Sequence, residues 1–260
     1  MKLCLLAGAG ELPKVFLRKA KEKGVEVFVA GVKGVTDVPA DEYFPLGNLE
    51  RLLKSLEKRS IDQIVMLGKF EPSLLFSHLL TLDRLALRIL QKAKDRRPQT
   101  LVKTLMQELE SVGYQFPDPR PFLEELLAPA GEISPFKPSP QAMEDGLWGF
   151  PLAKEIATLD IGQTLVVKEK TVLSVEAMEG TQKAIERVGK LAGKGCRVIK
   201  TARKSQDFRV DVPTVGPKTL EAIRKVGGDA LFVEAGKVYI LEKEKMKELS
   251  KKYCIALYGL

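Results

Sequence analysis

Apolar residues in the first third of the chain come in short unbroken blocks, KLCLLAG, VEVFVAG and DQIVMLG. Between them lie stretches whose apolar positions recur every three to four residues. Unbroken blocks of this length read as strands buried on both faces, and the longer period reads as amphipathic helix. The helical stretches are LPKVFLRKAKEKG, closed by Gly24, and LERLLKSLEKRS. Residues from about Ser73 to Gly113 read as two more helices divided at Pro98, because proline cannot continue a helix from within. The alternation predicts an α/β fold whose N-terminal part is a Rossmann-like domain with a mostly parallel sheet.

The pattern changes after residue 117. PDPRPFLEELLAPAGEISPFKPSP carries too many prolines for regular structure over most of its length. Its composition predicts three parts: an N-terminal domain over 1–128, a linker over 129–140 and a C-terminal α/β domain with a mixed sheet over 141–260. In the last part GQTLVVKEKTVLSVEAME reads as two strands turning at Lys168–Lys170. A helix follows, capped by Thr181 and closed near Gly193, with Ala184, Ile185, Val188, Leu191 and Ala192 on one face. The strand CRVIK, the helix PKTLEAIRKVG, the paired strands DALFVEAG and KVYILE, and a charged helix KEKMKELSKKY complete the order.

One segment, KSQDFRVDVPTVG, has strand-like alternation with charge on one side. Phe208, Val210 and Val212 share one face, and Asp207, Arg209 and Asp211 share the other, in steps of roughly 7 Å. Pro213 ends the strand, Gly216 supplies a turn, and Pro217 suits the first position of a helix. An ion-pair strip explains the charges structurally. Carboxylates, an arginine and a helix N-terminus are also the components of a metal-assisted phosphate site.

Composition narrows the chemistry. The chain has 260 residues, 45% of them hydrophobic, which suits globular domains with cores. A net charge of +8 and a pI near 9.2 favour an anionic partner: nucleic acid, a phosphorylated metabolite or an acidic membrane surface. Cys4, Cys196 and Cys254 are odd in number and lack metal-ligand spacing, so a disulfide framework and a zinc site are not expected, and a reducing cytoplasm fits. Gly10, Glu11 and Pro13 interrupt the apolar start, unlike a secretory signal, and no run approaches the roughly 18 apolar residues of a membrane span. His78 is the sole histidine and sits in the apolar stretch SLLFSHLLTL, where it reads as a structural residue. A multi-histidine metal centre is thereby excluded, so that a metal would be held mainly by oxygen, as magnesium and manganese are.

Three further groups have both a structural and a chemical reading. GAGELP, Gly8 to Pro13, lies where a strand enters a helix, which suits a turn or a phosphate contact, but Pro13 stands where the dinucleotide fingerprint requires glycine. Lys183, Arg187, Lys190 and Lys194 form a basic stripe of the kind usually found on solvated faces, while Lys200, Arg203 and Lys204 lead directly into QDFRVD. In VEAMEGT, Glu179 suits a helix N-terminus, whereas Glu176 on a strand between apolar neighbours needs a partner if buried.

The blocks GELP, DIGQTLVVKEKTVLSVEAMEGT, KTARKSQDFRVDVPTVGPKT and LFVEAGKVYILE, in this order and spacing, resemble the LpxI family of UDP-2,3-diacylglucosamine pyrophosphatases of lipid A biosynthesis. The resemblance implies magnesium-dependent hydrolysis of UDP-2,3-diacylglucosamine to 2,3-diacylglucosamine 1-phosphate (lipid X) and UMP; oxygen ligands would also suit manganese. It implies a catalytic aspartate in QDFRVD, for which Asp211 and Asp207 both qualify. Metal ligands are then expected among Asp207, Asp211, Glu176 and Glu179. Substrate contacts are expected from Gly10, Glu11, Leu12, Pro13, Gln163, Gly180, Thr181, Lys200, Lys204, Gln206, Arg209, Thr214 and Gly216. A cytoplasmic enzyme resting peripherally on the inner membrane, without nucleic acid and with a homodimer as a further expectation, completes this reading. The competing readings are a nucleotide-dependent oxidoreductase, against which Pro13 speaks, and an RNA-binding module, which lacks an aromatic platform because aromatics are 7% of the chain.

Overall fold

The computed structural model describes residues 2–70, 82–95, 97–190 and 193–260. His78, the apolar helix expected around it and Arg96 lie outside the described residues, as do Leu191 and Ala192. The chain divides into two compact units, one of Met1–Glu124 with Phe208–Asp211, the other of Glu125–Asp207 with Val212–Leu260.

In the first unit the three apolar blocks form β1 (Lys2–Ala7), β2 (Glu26–Val32) and, after the short β3 (Glu42–Phe44), β4 (Ile64–Leu67). They pair in the order β3-β2-β1-β4, every neighbour parallel. Leu3, Cys4, Leu5 and Ala7 are fully buried, as continuous apolar strands in a parallel sheet require. Helices α1 (Glu11–Glu22), α2 (Leu49–Glu57), α3 (Arg84–Lys92), α4 (Pro98–Glu110) and α5 (Arg120–Leu123) follow the predicted phases. Their starts are chemically marked: Asn48 accepts from Arg51 N at 3.4 Å, Asp83 from Ala86 N at 2.9 Å, and Pro98 opens α4. Val210 packs into this unit's core beside Phe28, Phe44, Leu56 and Met106.

The second unit contains β5 (Gly131–Glu132), β6 (Thr164–Lys168), β7 (Thr171–Val175), β8 (Arg197–Lys200), β9 (Thr214–Val215), β10 (Ala230–Val233), β11 (Tyr239–Ile240) and β12 (Ala256–Gly259). Six of them form a mixed sheet, β5-β12-β10-β8-β6-β7, in which β8, β10 and β12 run parallel and the rest antiparallel. Helices α6 (Pro140–Thr158), α7 (Thr181–Glu186), α8 (Pro217–Lys225) and α9 (Lys243–Tyr253) complete it. The α/β class and the mixed C-terminal sheet follow the sequence reading.

Local expectations fare unevenly. The hairpin turn falls on Glu169 and Lys170, both with positive φ, and the buried carboxylate of Asp145 accepts their backbone N–H groups at 2.9 and 2.8 Å. The stretch 129–140, expected as a linker, contributes β5 to the sheet edge through antiparallel pairing with β12. DALFVEAG and KVYILE do not pair with each other: Val238 N bonds back to Glu234 O at 3.1 Å, turning the chain so that β11 pairs with β9 instead. KSQDFRVD is not a strand. Turns at 204–205 and 208–209 break the segment, and regular pairing starts only at Thr214, so the two-residue alternation there has no ladder behind it.

Small residues let α6 lie close on the sheet. Ala142, Gly146, Gly149, Ala153 and Ala157 are its buried stripe, and a Cβ on Gly146 would meet the Phe232 ring at 2.7 Å. Gly146→Val should therefore lower stability by about 3 kcal/mol through overpacking, read as an earlier urea midpoint. An unchanged midpoint would refute this account of the stripe.

Candidate active site

The second unit gathers polar side chains at one end of its sheet. Strand β8 ends at Lys200, which lies opposite Thr164 at the start of antiparallel β6. Lys200 was expected to meet substrate, but it is 4% exposed and its ammonium has three partners for its three N–H donors. It donates to Thr181 Oγ1 at 2.7 Å, Thr164 Oγ1 at 2.9 Å and Glu176 Oε2 at 3.0 Å. Thr181 in turn donates to Glu176 Oε1 at 2.8 Å, and Gln163 N donates to Glu176 Oε2 at 3.3 Å. Glu176 thus has the partner its buried position demanded, and that partner is a lysine. Burial pushes its pKa up, but the Lys200 charge and the hydrogen bonds from Thr164, Lys200 and Thr181 outweigh this and hold it below the ordinary 4.5.

Thr181 consequently does not cap its helix. Gly180, with φ of 81°, takes the N-cap position and leaves the Thr181 hydroxyl to the cluster. Glu179 pairs with Arg187 at 3.0 Å. The cluster continues through Gln163, whose amide donates to Gln206 Oε1 at 3.3 Å. Gln206 lies on the excursion that leaves the sheet after β8. There Arg203 also reaches Gln206 Oε1 at 3.5 Å and binds Asp160 Oδ1 at 2.7 Å, while Lys204 pairs with exposed Glu155. Thr214 lies in β9 and Gly216 caps α8, where its N–H donates to Thr219 Oγ1 at 3.3 Å.

In the first unit the loop Gly8–Pro13 joins β1 to α1. A side chain on Gly8 would strike Lys69 O at 2.6 Å, because Ala9 and Lys69 bridge the ends of β1 and β4 through paired backbone bonds of 3.1 and 2.8 Å. That is the strand-order switch point where open α/β sheets receive ligands, and here backbone joins its two sides. Gly10 N, at the start of α1, is held by both Asp37 carboxylate oxygens at 3.2 and 3.1 Å, so an anion already sits where a phosphate was expected. Glu11 pairs with Lys14 at 2.8 Å, and Leu12 and Pro13 lie within the first turn of α1, Pro13 buried.

Phe208–Asp211 also belongs to the first unit. Arg120 stacks over the Phe208 ring at 4.4 Å, and Arg209 pairs with Glu110 at 3.2 Å. Exposed Asp211 accepts from the Gln99 amide at 3.1 Å with φ of 48°. Other non-glycine residues with positive φ sit at a hairpin turn or beside a helix end; Asp211, among the described residues, does neither. Aspartate adopts this left-handed backbone more readily than most residues, because its short polar side chain can hydrogen-bond locally.

The expected metal ligands are not gathered. Among the described residues no three His, Cys, Asp or Glu side chains are grouped to hold a metal ion. Glu176 and Glu179 are engaged by Lys200 and Arg187, and Asp207 and Asp211 fall in different units. Thr164, Asp160 and the pair Lys154–Glu234 were not singled out from sequence. Glu234 had a signal, a carboxylate closing the apolar run ALFV.

Two family models match the chain: the LpxI N-terminal domain over residues 2–126 and the LpxI C-terminal domain over residues 129–258. A protein of Caulobacter vibrioides named UDP-2,3-diacylglucosamine pyrophosphatase LpxI is 29% identical over 259 residues, covering 94% of this chain and 91% of that protein. Among solved structures, D-lactate dehydrogenase with NAD+ from Lactobacillus jensenii aligns at 13% identity over 100% of this chain and 89% of that one. Its TM-score of 0.17 carries no structural argument.

Proposed function

The chain belongs to the LpxI family, and on that premise we propose that it hydrolyses UDP-2,3-diacylglucosamine to UMP and 2,3-diacylglucosamine 1-phosphate in lipid A biosynthesis. The observation that carries this reading is the match to both family domain models, which together span nearly the whole chain. Water adds to one phosphorus of the diphosphate, the P–O–P bond breaks, and the two phosphate monoesters leave.

The residues divide this work by chemistry. Asp211, exposed and in a left-handed backbone conformation, is the carboxylate proposed to orient the attacking water and accept its proton. Arg203, Lys204 and Gln206, on the excursion after β8, are proposed to meet diphosphate oxygens. Lys200 and Glu176, saturated by each other and by two threonines, hold the base of that excursion rather than the substrate.

A magnesium or manganese requirement is part of the proposal on the strength of the resemblance, with the carboxylate of Asp207 or of Asp211 as an oxygen donor. The described side chains do not form a ready cage, and no step above passes through a metal. A bound divalent ion would supply charge neutralisation at phosphoryl oxygens. UMP release measured before and after EDTA treatment, with magnesium added back, tests both parts. No release under any condition sinks the activity; release undiminished by EDTA sinks the metal alone.

Among the described residues no helix is long and apolar enough to cross a membrane. Peripheral attachment to an anionic bilayer is proposed from the net charge of +8. Sedimentation with anionic liposomes should fall as salt rises, and salt-insensitive binding would count against it. Sedimentation velocity tests the proposed homodimer.

A further inference from the structure

Beyond β8 the chain leaves its parallel neighbour β10. Ladder pairing ends where Val233 meets Lys200, and the last backbone bond runs from Glu234 N to Lys200 O at 3.0 Å. Two residues later Ala202 is fully buried, and a buried peptide group needs partners that the sheet no longer supplies. Two side chains supply them. Glu234 Oε2 accepts from Ala202 N at 2.9 Å, and Lys154 Nζ donates to Ala202 O at 2.8 Å. The pair is closed by Lys154 to both Glu234 oxygens at 2.6 and 2.7 Å. Lys237 joins Glu234 Oε1 at 3.0 Å from the exposed side.

We propose that Lys154 and Glu234 are positioning residues of the reaction: they grip the backbone N–H and C=O of Ala202 and so aim the next side chain, Arg203, at the diphosphate. The proposal rests on the hydrolytic reading given above and extends it to two side chains that touch no substrate. Lys154 reaches the excursion from α6, while Glu234 follows β10, so the grip ties the excursion to two rigid elements rather than to another loop. Burial lowers the Lys154 pKa and the Glu234 carboxylate only partly restores it, as expected of an ammonium held inside the fold. A small misplacement of groups that stabilise a transition state is felt in turnover more than in ground-state binding.

The test uses the full chain with Glu234→Gln, which keeps an acceptor for Ala202 N, and Lys154→Met, which leaves Ala202 O without its donor. Melting temperature, kcat and KM for UMP release are measured for each, then repeated in an Arg203→Ala background. The expected result is a folded protein whose kcat falls about tenfold with KM changed less than about threefold. In the Arg203→Ala background the same substitutions should have at most about a twofold further effect, because the group they aim is gone. A purely structural clasp would lower the melting temperature and leave kcat per folded molecule at the wild-type value, and that outcome overturns the proposal. So does full additivity with Arg203→Ala. If Glu234→Gln does not fold, Lys154→Met decides alone. Absence of UMP release from the wild type would instead remove the hydrolytic reading.

Discussion

Asp211→Asn is expected to slow UMP release by about a thousandfold, within the range that a general base contributes. Asparagine is the informative replacement here. It tolerates the left-handed backbone that Asp211 adopts at φ of 48°, and its side-chain oxygen can still accept from the Gln99 amide. What disappears is the negative charge. Alanine would add backbone strain of about 1 kcal/mol at the same position, mixing a folding effect with a chemical one. Because Asp211 is exposed, the melting temperature of Asp211→Asn should stay at the wild-type value while turnover collapses. Wild-type turnover in this variant would end the assignment. If Asp207→Asn collapsed instead, the role would pass to the half-buried Asp207.

The largest stability effect is expected at Glu176. Its replacement by alanine strands the Lys200 ammonium, whose side chain is 6% exposed, without a counter-charge, and breaking a buried pair in this way costs about 3–5 kcal/mol. The double variant Glu176→Ala with Lys200→Met should recover much of that loss, since it leaves no orphaned charge. Urea denaturation of the single and double variants measures both numbers. A double variant no more stable than Glu176→Ala would refute the pairing. The pH dependence has a definite sign. The folded pKa of Glu176 is lowered below 4.5, so its contribution is fully present above the unfolded value and is lost as pH falls through the folded one. Acid should therefore narrow the gap between wild type and Glu176→Ala.

Periodicity located most elements well because each pattern carried its own punctuation. The three N-terminal strands are apolar blocks bounded by turn residues, and Pro98 and Pro217 stand at the first positions of their helices. Glu176 was legible for a related reason: a carboxylate between apolar strand neighbours must find a partner. Its partner was not legible, because Lys200 is 24 residues away and strand pairing alone brings the two within 3.0 Å.

KSQDFRVD misled for an equally physical reason. Alternation implies a strand only when a neighbouring ladder satisfies the backbone, and no such ladder exists before Thr214. Val210 is apolar because it enters the core of the first unit, and Asp211 follows with a backbone conformation that no periodicity encodes. The basic run from Lys183 to Lys204 likewise looked uniform. Folding sorts it: Arg197 is buried between Asp145 and Asp229, Lys200 is saturated inside the cluster, and Arg203 and Lys204 remain nearer the surface.

Sequence by itself determined the α/β class, the order of most strands and helices, the exclusion of histidine-rich metal chemistry and, through ordered blocks, the family. These follow from local chemistry: period, turn residues, the residue types present and their spacing. Tertiary structure alone decided which charges are internal. It placed Lys200 beneath two threonines, filled the α1 N-terminus with Asp37 and set Lys154 and Glu234 around the Ala202 peptide. A charge's role depends on how much water it has lost and what stands within about 3 Å of it, and strands distant in sequence determine both.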